Sequence, residues 1–232
     1  MYRAVAAVAF SPDLSVPRAP PSDAQPDTAN GTHIARTAIR FTTDLRFRIR
    51  ASYGAKVIPQ LPDMVAESEF TIRAGTGDDI EWVVRRHREI YSDEYGWDSR
   101  FGDLVADIAN DFVRDLDPLK ERCWIAERRG ERIGCVFLVR NEDETAQLRL
   151  LLVEPSARGL GVGASLVREC IDFARSSGYG RLRLWTNDVL HSARRIYEAA
   201  GFHLVEEEQH DSWGKPLTSQ TWELDLAAAS DG

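Results

Sequence analysis

The sequence predicts an α/β domain, a mixed and mostly antiparallel central sheet flanked by about four helices. Three observations carry that expectation. From Glu69 onward the apolar residues switch repeatedly between a two-residue and a 3.6-residue period, so strands and helices follow in the order βαα-βββ-αβ-αββ. One stretch, residues 146–153, is apolar almost throughout, as a strand buried on both faces would be. That strand leads into an amphipathic helix through a turn holding Gly159, Gly161 and Gly163.

Each element has its own local reason. Residues 70–74 alternate and read as a first strand. Asp78-Asp79-Ile80-Glu81 resembles a capping box and opens a helix with Ile80, Val83, Val84, His87, Ile90 and Tyr91 on one stripe. After the turn-like Tyr95-Gly96-Trp97-Asp98, a second helix is marked by Leu104, Val105, Ile108, Phe112 and Leu116, and Asp117-Pro118 stops it. Residues 123–127 and 133–139 are β-rich runs around Arg128-Arg129-Gly130-Glu131, a hairpin signal. The third strand of this group is 146–153. Residues 161–177 form a helix with Val162, Leu166, Val167, Cys170, Ile171, Phe173 and Ala174 inward, closed by Gly178. A strand at 182–185, a helix at 192–200 ending at Gly201, and strands at 202–207 and 221–226 complete the order.

Composition bounds what such a domain does. The chain has 232 residues, 43% hydrophobic and 28% charged, with a net charge of −8. No apolar run approaches the ~18 residues of a membrane span, and the acidic balance argues against a general nucleic-acid binder. Cys123, Cys135 and Cys170 are odd in number, widely spaced and set in apolar stretches, so neither a disulfide framework nor a metal site is expected. They read as core thiols of a cytoplasmic protein. Residues 1–66 are unlike the rest: they hold seven of the ten prolines, none of the six tryptophans, and eight basic against five acidic residues. Their start, MYRAVAAVAF, makes a poor signal peptide because no cleavage pattern follows. Residues 1–66 are therefore expected to be a disordered or non-native arm, with Met64 an alternative start. Residues 67–228 are expected to form the folded domain and 229–232 a tail.

The glycine turn decides the class. Glycines there let main chain approach a ligand and leave N–H groups unpaired at a helix N-terminus, where they and the helix dipole bind phosphate. Gly159-x-Gly161-x-x-Ala164 formally satisfies a dinucleotide fingerprint. However, five residues separate Val153 from Gly159, and no carboxylate ends the next strand. A glycine-rich turn without a ligand is the other alternative.

Arg158-x-x-Gly161-x-Gly163 between strand and helix resembles the acetyl-CoA pyrophosphate loop of the GNAT N-acetyltransferases, whose element order is also the one read above. Ala193-x-x-x-Tyr197-x-x-x-Gly201-Phe202 resembles that family's penultimate helix and the strand after it. Trp82-Val83-Val84-Arg85-Arg86-His87, Glu94-Tyr95-Gly96-Trp97, the stretches 121–127, 147–155 and 184–187, and Glu208-x-His210-x-Ser212-Trp213-Gly214 look like the acetyltransferase half of bacterial MarR–GNAT fusions. The winged helix is missing here, so DNA binding is not carried over.

The resemblance implies an N-acetyltransferase that moves an acetyl group from acetyl-CoA to a small-molecule or peptide amine by direct attack in a ternary complex. The alternative is an acyl-CoA-binding sensor without transfer. Leu151, Leu152 and Val153 would offer backbone groups to the pantetheine arm; Arg158, Gly159, Leu160, Gly161, Val162 and Gly163 would hold the pyrophosphate. Tyr197 would protonate the departing thiolate. Many members carry asparagine where this chain has Leu190, and Asn187 is the candidate replacement. The glutamate that some members use as base is Gln147 here, leaving His210, Glu94, Glu144 or water. Glu206, Glu207, Glu208 and Asp211 near the acceptor mouth favour a cationic amine. No metal, nucleic acid or membrane is implied, and a homodimer is compatible with the resemblance.

Overall fold

The computed structural model describes residues 70–142 and 144–226. The expected arm at 1–66 and tail at 229–232 lie outside the described residues. Strands β1 (Thr71–Ala74), β2 (Arg122–Arg128), β3 (Glu131–Glu142), β4 (Thr145–Val153), β5 (Arg181–Asn187), β6 (His203–His210) and β7 (Leu217–Asp225) form one sheet in the order β1-β2-β3-β4-β5-β7-β6. Only the β4–β5 pair is parallel, which makes the sheet mixed and mostly antiparallel. The helices are α1 (Ile80–Tyr95), α2 (Ser99–Asp115), α3 (Val162–Ser176) and α4 (His191–Ala199). The α/β expectation and the element order hold.

Boundaries moved where local pattern was weak. The capping box sits on Thr76 and Asp79: the Thr76 N–H donates to Asp79 Oδ2 at 2.9 Å and opens a 3-10 turn ahead of α1. α2 ends at Asp115, so Leu116 lies past the helix and is exposed. β7 starts at Leu217 rather than 221, because Ser219 and Gln220 are buried in it despite their polarity. β6 runs on to His210, and as an edge strand it is exposed on both faces.

The two helix pairs cover opposite faces. Phe112 of α2 packs edge-on against Phe137, whereas a side chain at Gly134 would strike Val162 and Leu166 of α3. Val83, Ile90 and Tyr91 of α1 and Leu166, Val167 and Cys170 of α3 are buried against the sheet, and all three cysteines are free and buried. His87 of α1 is fully buried; its Nδ1–H donates to the Val83 carbonyl at 2.8 Å and Nε2 has no partner. Burial pushes its pKa down from 6.5 to about 4.

A proton is thus taken up more readily by the unfolded chain. The fold bears no penalty above pH ~6.5 and loses stability as pH falls from there toward the folded value. Urea melts are expected to show about 2 kcal/mol less stability at pH 5 than at pH 7. His87→Leu should flatten most of that slope. An unchanged slope in the variant would assign it elsewhere.

Candidate functional site

The site begins with a fault in β4. Leu150 has φ of 52°, a left-handed conformation rare outside glycine, and the β3–β4 register slips between Phe137↔Arg149 and Cys135↔Leu152. β4 pairs with β5 only from Thr145↔Arg181 to Leu148↔Leu184. Beyond Leu148 the two parallel strands part. Leu151, Leu152 and Val153, all buried, form one wall of the opening with no β5 partner. Trp185, Thr186 and Asn187 on the other wall pair only with β7.

β4 leads into the glycine turn. Gly159 and Gly161 have φ of 85° and 81°, and a side chain built at either would meet nothing within 4 Å. Gly161 is the N-cap of α3, and its carbonyl accepts the first helical bond, from Ser165 N–H at 3.0 Å. Among the described residues, the N–H groups of Gly159, Gly161, Val162 and Gly163 make no backbone bond outside a helix or strand. They remain donors at the positive end of a helix dipole. Leu160 differs from expectation: its N–H is spent on Ala157 C=O at 3.4 Å and its side chain packs on the core.

The turn lines a groove of about 250 Å³ with Val153, Ser192, Arg195 and Ile196. Ser192, Arg195 and Ile196 belong to α4 and went unread in the sequence. Nothing in a helical stripe says that its exposed arginine faces a turn some 35 residues earlier. Arg158 also borders the groove, yet its Nη2 donates to Glu94 Oε1 of α1 at 2.6 Å and its side chain is only 8% exposed. Its Nη2 is therefore engaged by Glu94.

Tyr197 of α4 and Asn187 at the end of β5 each carry a buried polar atom without a partner. Tyr197 is fully buried, packs edge-on against Phe202, and its hydroxyl is unbonded. Burial lifts its pKa well above 10, with the Cys170 thiol of α3 adding to the effect. Asn187 is 1% exposed; its Oδ1 is bonded to His210 Nε2 at 2.9 Å, while Nδ2 has no partner.

The His210 tautomer follows from its neighbours. Ser212 N–H donates to Nδ1 at 3.3 Å, so Nδ1 is the acceptor and the proton sits on Nε2, donated to Asn187. Burial lowers the His210 pKa, against the opposing pull of Glu208, Asp211 and Asp188, so the ring is neutral at pH 7. His210 consequently holds Asn187 with its amide N–H₂ turned away from the ring.

The candidate bases fare poorly. His210 has both nitrogens engaged. Glu94 is paired with Arg158. Glu144 lies beside Gly180, at the end of β4 remote from the glycine turn. Gln147 is buried, and its Oε1 accepts two bonds from Arg149. On the same face as His210 lies an aromatic cluster: Trp213 packs against Trp97 (4.3 Å between centroids), Trp185 (5.6 Å) and Phe101 (5.1 Å). A second cleft, of about 480 Å³, opens beside His210 between Asp188, Asp211 and Thr218.

Comparison with known proteins agrees with this geometry. The profile of the acetyltransferase (GNAT) family matches residues 81–202. An uncharacterised N-acetyltransferase of Schizosaccharomyces pombe is 29% identical over 135 residues, 58% of this chain and 80% of that protein. The N-acetylaspartate synthetase of Danio rerio is 32% identical over 107 residues, 46% of this chain and only 38% of that protein. Among solved structures, an acetyltransferase of Salmonella typhimurium with its cofactor acetyl-CoA superimposes with a TM-score of 0.58 at 20% identity. It covers 70% of this chain and 96% of that one.

Proposed function

The chain belongs to the acetyltransferase (GNAT) family as an acetyl-CoA-dependent N-acetyltransferase, and from that premise we propose how its residues divide the work. The observation that carries the assignment is the parting of β4 from β5 at Leu150, with unpartnered polar groups on its margins. Such groups cost stability unless a ligand satisfies them. The residues fit acetyl-CoA. Free amides of Gly159, Gly161, Val162 and Gly163 suit the pyrophosphate, and Arg195 adds a cation at the groove. Leu151, Leu152 and Val153 present strand backbone to the pantetheine amides, and Asn187 Nδ2, oriented by His210, donates to a carbonyl there.

When bound, acetyl-CoA supplies the activated acetyl thioester. Burial keeps the Tyr197 phenol protonated, so its O–H would donate a hydrogen bond to the departing sulfur and pass its proton there as the C–S bond breaks, the phenol regaining a proton from solvent before the next turnover. With His210, Glu94, Glu144 and Gln147 each engaged or remote, the acceptor amine loses its proton to water. Asp188 and Asp211 in the larger cleft favour an amine that arrives as a cation. Motif resemblance to the transferase half of MarR–GNAT fusions supports the narrower kinship. Buried free thiols support a reducing, cytoplasmic setting. No helix of the described residues is long and apolar enough to cross a membrane.

The direct test is thermal stabilisation by acetyl-CoA, followed by thiol release on adding a panel of amines. Stabilisation without release from any amine would favour the sensor reading. A substitution refines it. Gly161→Val sets a β-branched side chain in a left-handed conformation and points it into open groove. Calorimetry should show acetyl-CoA affinity falling by roughly tenfold or more. Arg158→Ala should cost less, because Glu94 already engages that charge. Full affinity in Gly161→Val would remove the phosphate-loop assignment.

A further inference from the structure

The sheet face beneath α1 and α2 carries a cation that the transfer chemistry leaves unused. Arg149 stands on β4 immediately before the Leu150 fault, opposite Phe137, which packs against Phe112 of α2. Its hydrogen bonds go to a neutral group: Nε and Nη2 donate to Gln147 Oε1 at 3.2 and 2.9 Å. Among the described residues no carboxylate reaches it within ion-pair distance; Asp111 of α2 acts on it only through space. Burial lowers its pKa from 12.5 to about 10, which leaves it cationic at neutral pH. A partly buried guanidinium whose hydrogen bonds go to a neutral amide still has its charge to satisfy, and its planar fork matches a carboxylate.

Position adds the second argument. Gln147 faces Arg183 and Leu148 faces Leu184, so the residue across the parting from Arg149 is Trp185. Trp185 packs against His210 and Trp213 on the same face, and His210 borders the acidic cleft. Arg149 therefore lies on the acceptor side of the opening, next to the point where the strands separate.

We propose that Arg149 receives the carboxylate of the acceptor, so that the acceptors of this enzyme are amines that also carry a carboxylate. The proposal rests on the transferase reading for its purpose, but binding alone can test it. Two sources supply such a carboxylate, the backbone end of an amino acid and an acidic side chain, and the probes separate them.

The full chain, saturated with CoA, is titrated calorimetrically with L-alanine, L-alanine amide, L-aspartate, L-aspartic acid α-amide and butylamine. Wild type should bind a carboxylate-bearing amine more tightly than the counterpart lacking the carboxylate by roughly tenfold or more, the effect of a hydrogen bond to a charged group. L-Alanine over its amide identifies the backbone carboxylate. Retained binding of the aspartic acid α-amide identifies the side-chain one. Arg149→Gln should abolish the preference and Arg149→Lys keep part of it, with acetyl-CoA affinity unchanged in both. Butylamine binding as tightly as the acids, no acid binding at all, or Arg149→Gln weakening acid and amide alike would overturn the proposal. If Arg149→Gln fails to fold, the wild-type ratios and the lysine variant decide. Acids that bind selectively while no amine releases thiol would sink the transferase reading and leave this one standing.

Discussion

Tyr197→Phe is expected to lower kcat by ~10²–10⁴-fold, the usual contribution of a positioned general acid, while the free protein melts no lower than wild type. Both halves come from one feature. The hydroxyl is fully buried and bonded to nothing, so the free fold carries an unsatisfied donor whose removal relieves a penalty. The ring and its edge-on contact with Phe202, 5.8 Å between centroids, survive in phenylalanine. Acetyl-CoA affinity should change by less than about tenfold, since one neutral hydrogen bond is worth ~1 kcal/mol. Steady-state thiol release, cofactor titration and a melting curve check the three parts. Near-normal kcat would mean that water protonates the sulfur. A variant that melts several degrees lower would mean that the hydroxyl is hydrogen-bonded in the free fold.

Asp79→Ala is expected to cost about 3 kcal/mol of stability, the lower end for breaking a buried ion pair, equivalent to roughly 6–12 °C in Tm for a domain of this size. The Asp79 side chain is 0% exposed. It accepts from Arg73 Nη1 and Nη2 at 2.8 and 2.9 Å, from Arg132 Nε at 2.6 Å, and from Thr76 N–H. One carboxylate thus ties β1, the turn before α1, and β3. The lower end applies because both arginines are about a third exposed and can turn to water once the acid is gone. Arg73 foremost, with Thr76 and Arg132, holds the Asp79 pKa far below the ordinary carboxylate range. Its contribution is therefore complete above pH ~4 and is lost as pH falls below that. The wild-type minus Asp79→Ala difference in urea melts should shrink in acid. A difference that persists unchanged at pH 3 would assign the effect to packing.

What the sequence made legible was periodic or punctuated. Helices α1 to α4 follow from apolar stripes, and the glycine turn follows from Gly159, Gly161 and Gly163 with the strand and helix on either side. The fault at Leu150 was not legible, because LRLLLV reads as an unbroken buried strand and no glycine or proline marks the slip. The Glu94–Arg158 pair joins residues 64 apart, and local spacing carries no information at that range. Arg149 looked like one more arginine between leucines; its meaning depends on what covers it. The first residues of β7 were hidden for a related reason: Ser219 and Gln220 are polar groups buried by their neighbours, so their hydropathy points the wrong way.

The Leu150 fault also has a mechanical side. The seven strands are two ladders, β1 to β4 and β5-β7-β6, joined by four residue pairs at one end of the β4–β5 seam, whereas β5 and β7 are joined by seven. A seam fastened at one end is expected to open more readily at the other, where amide exchange should be faster than along the β5–β7 ladder. A ligand lodged there takes the place of the missing rungs and couples the ladders along their whole length. Ligand binding there is expected to protect that junction from amide exchange.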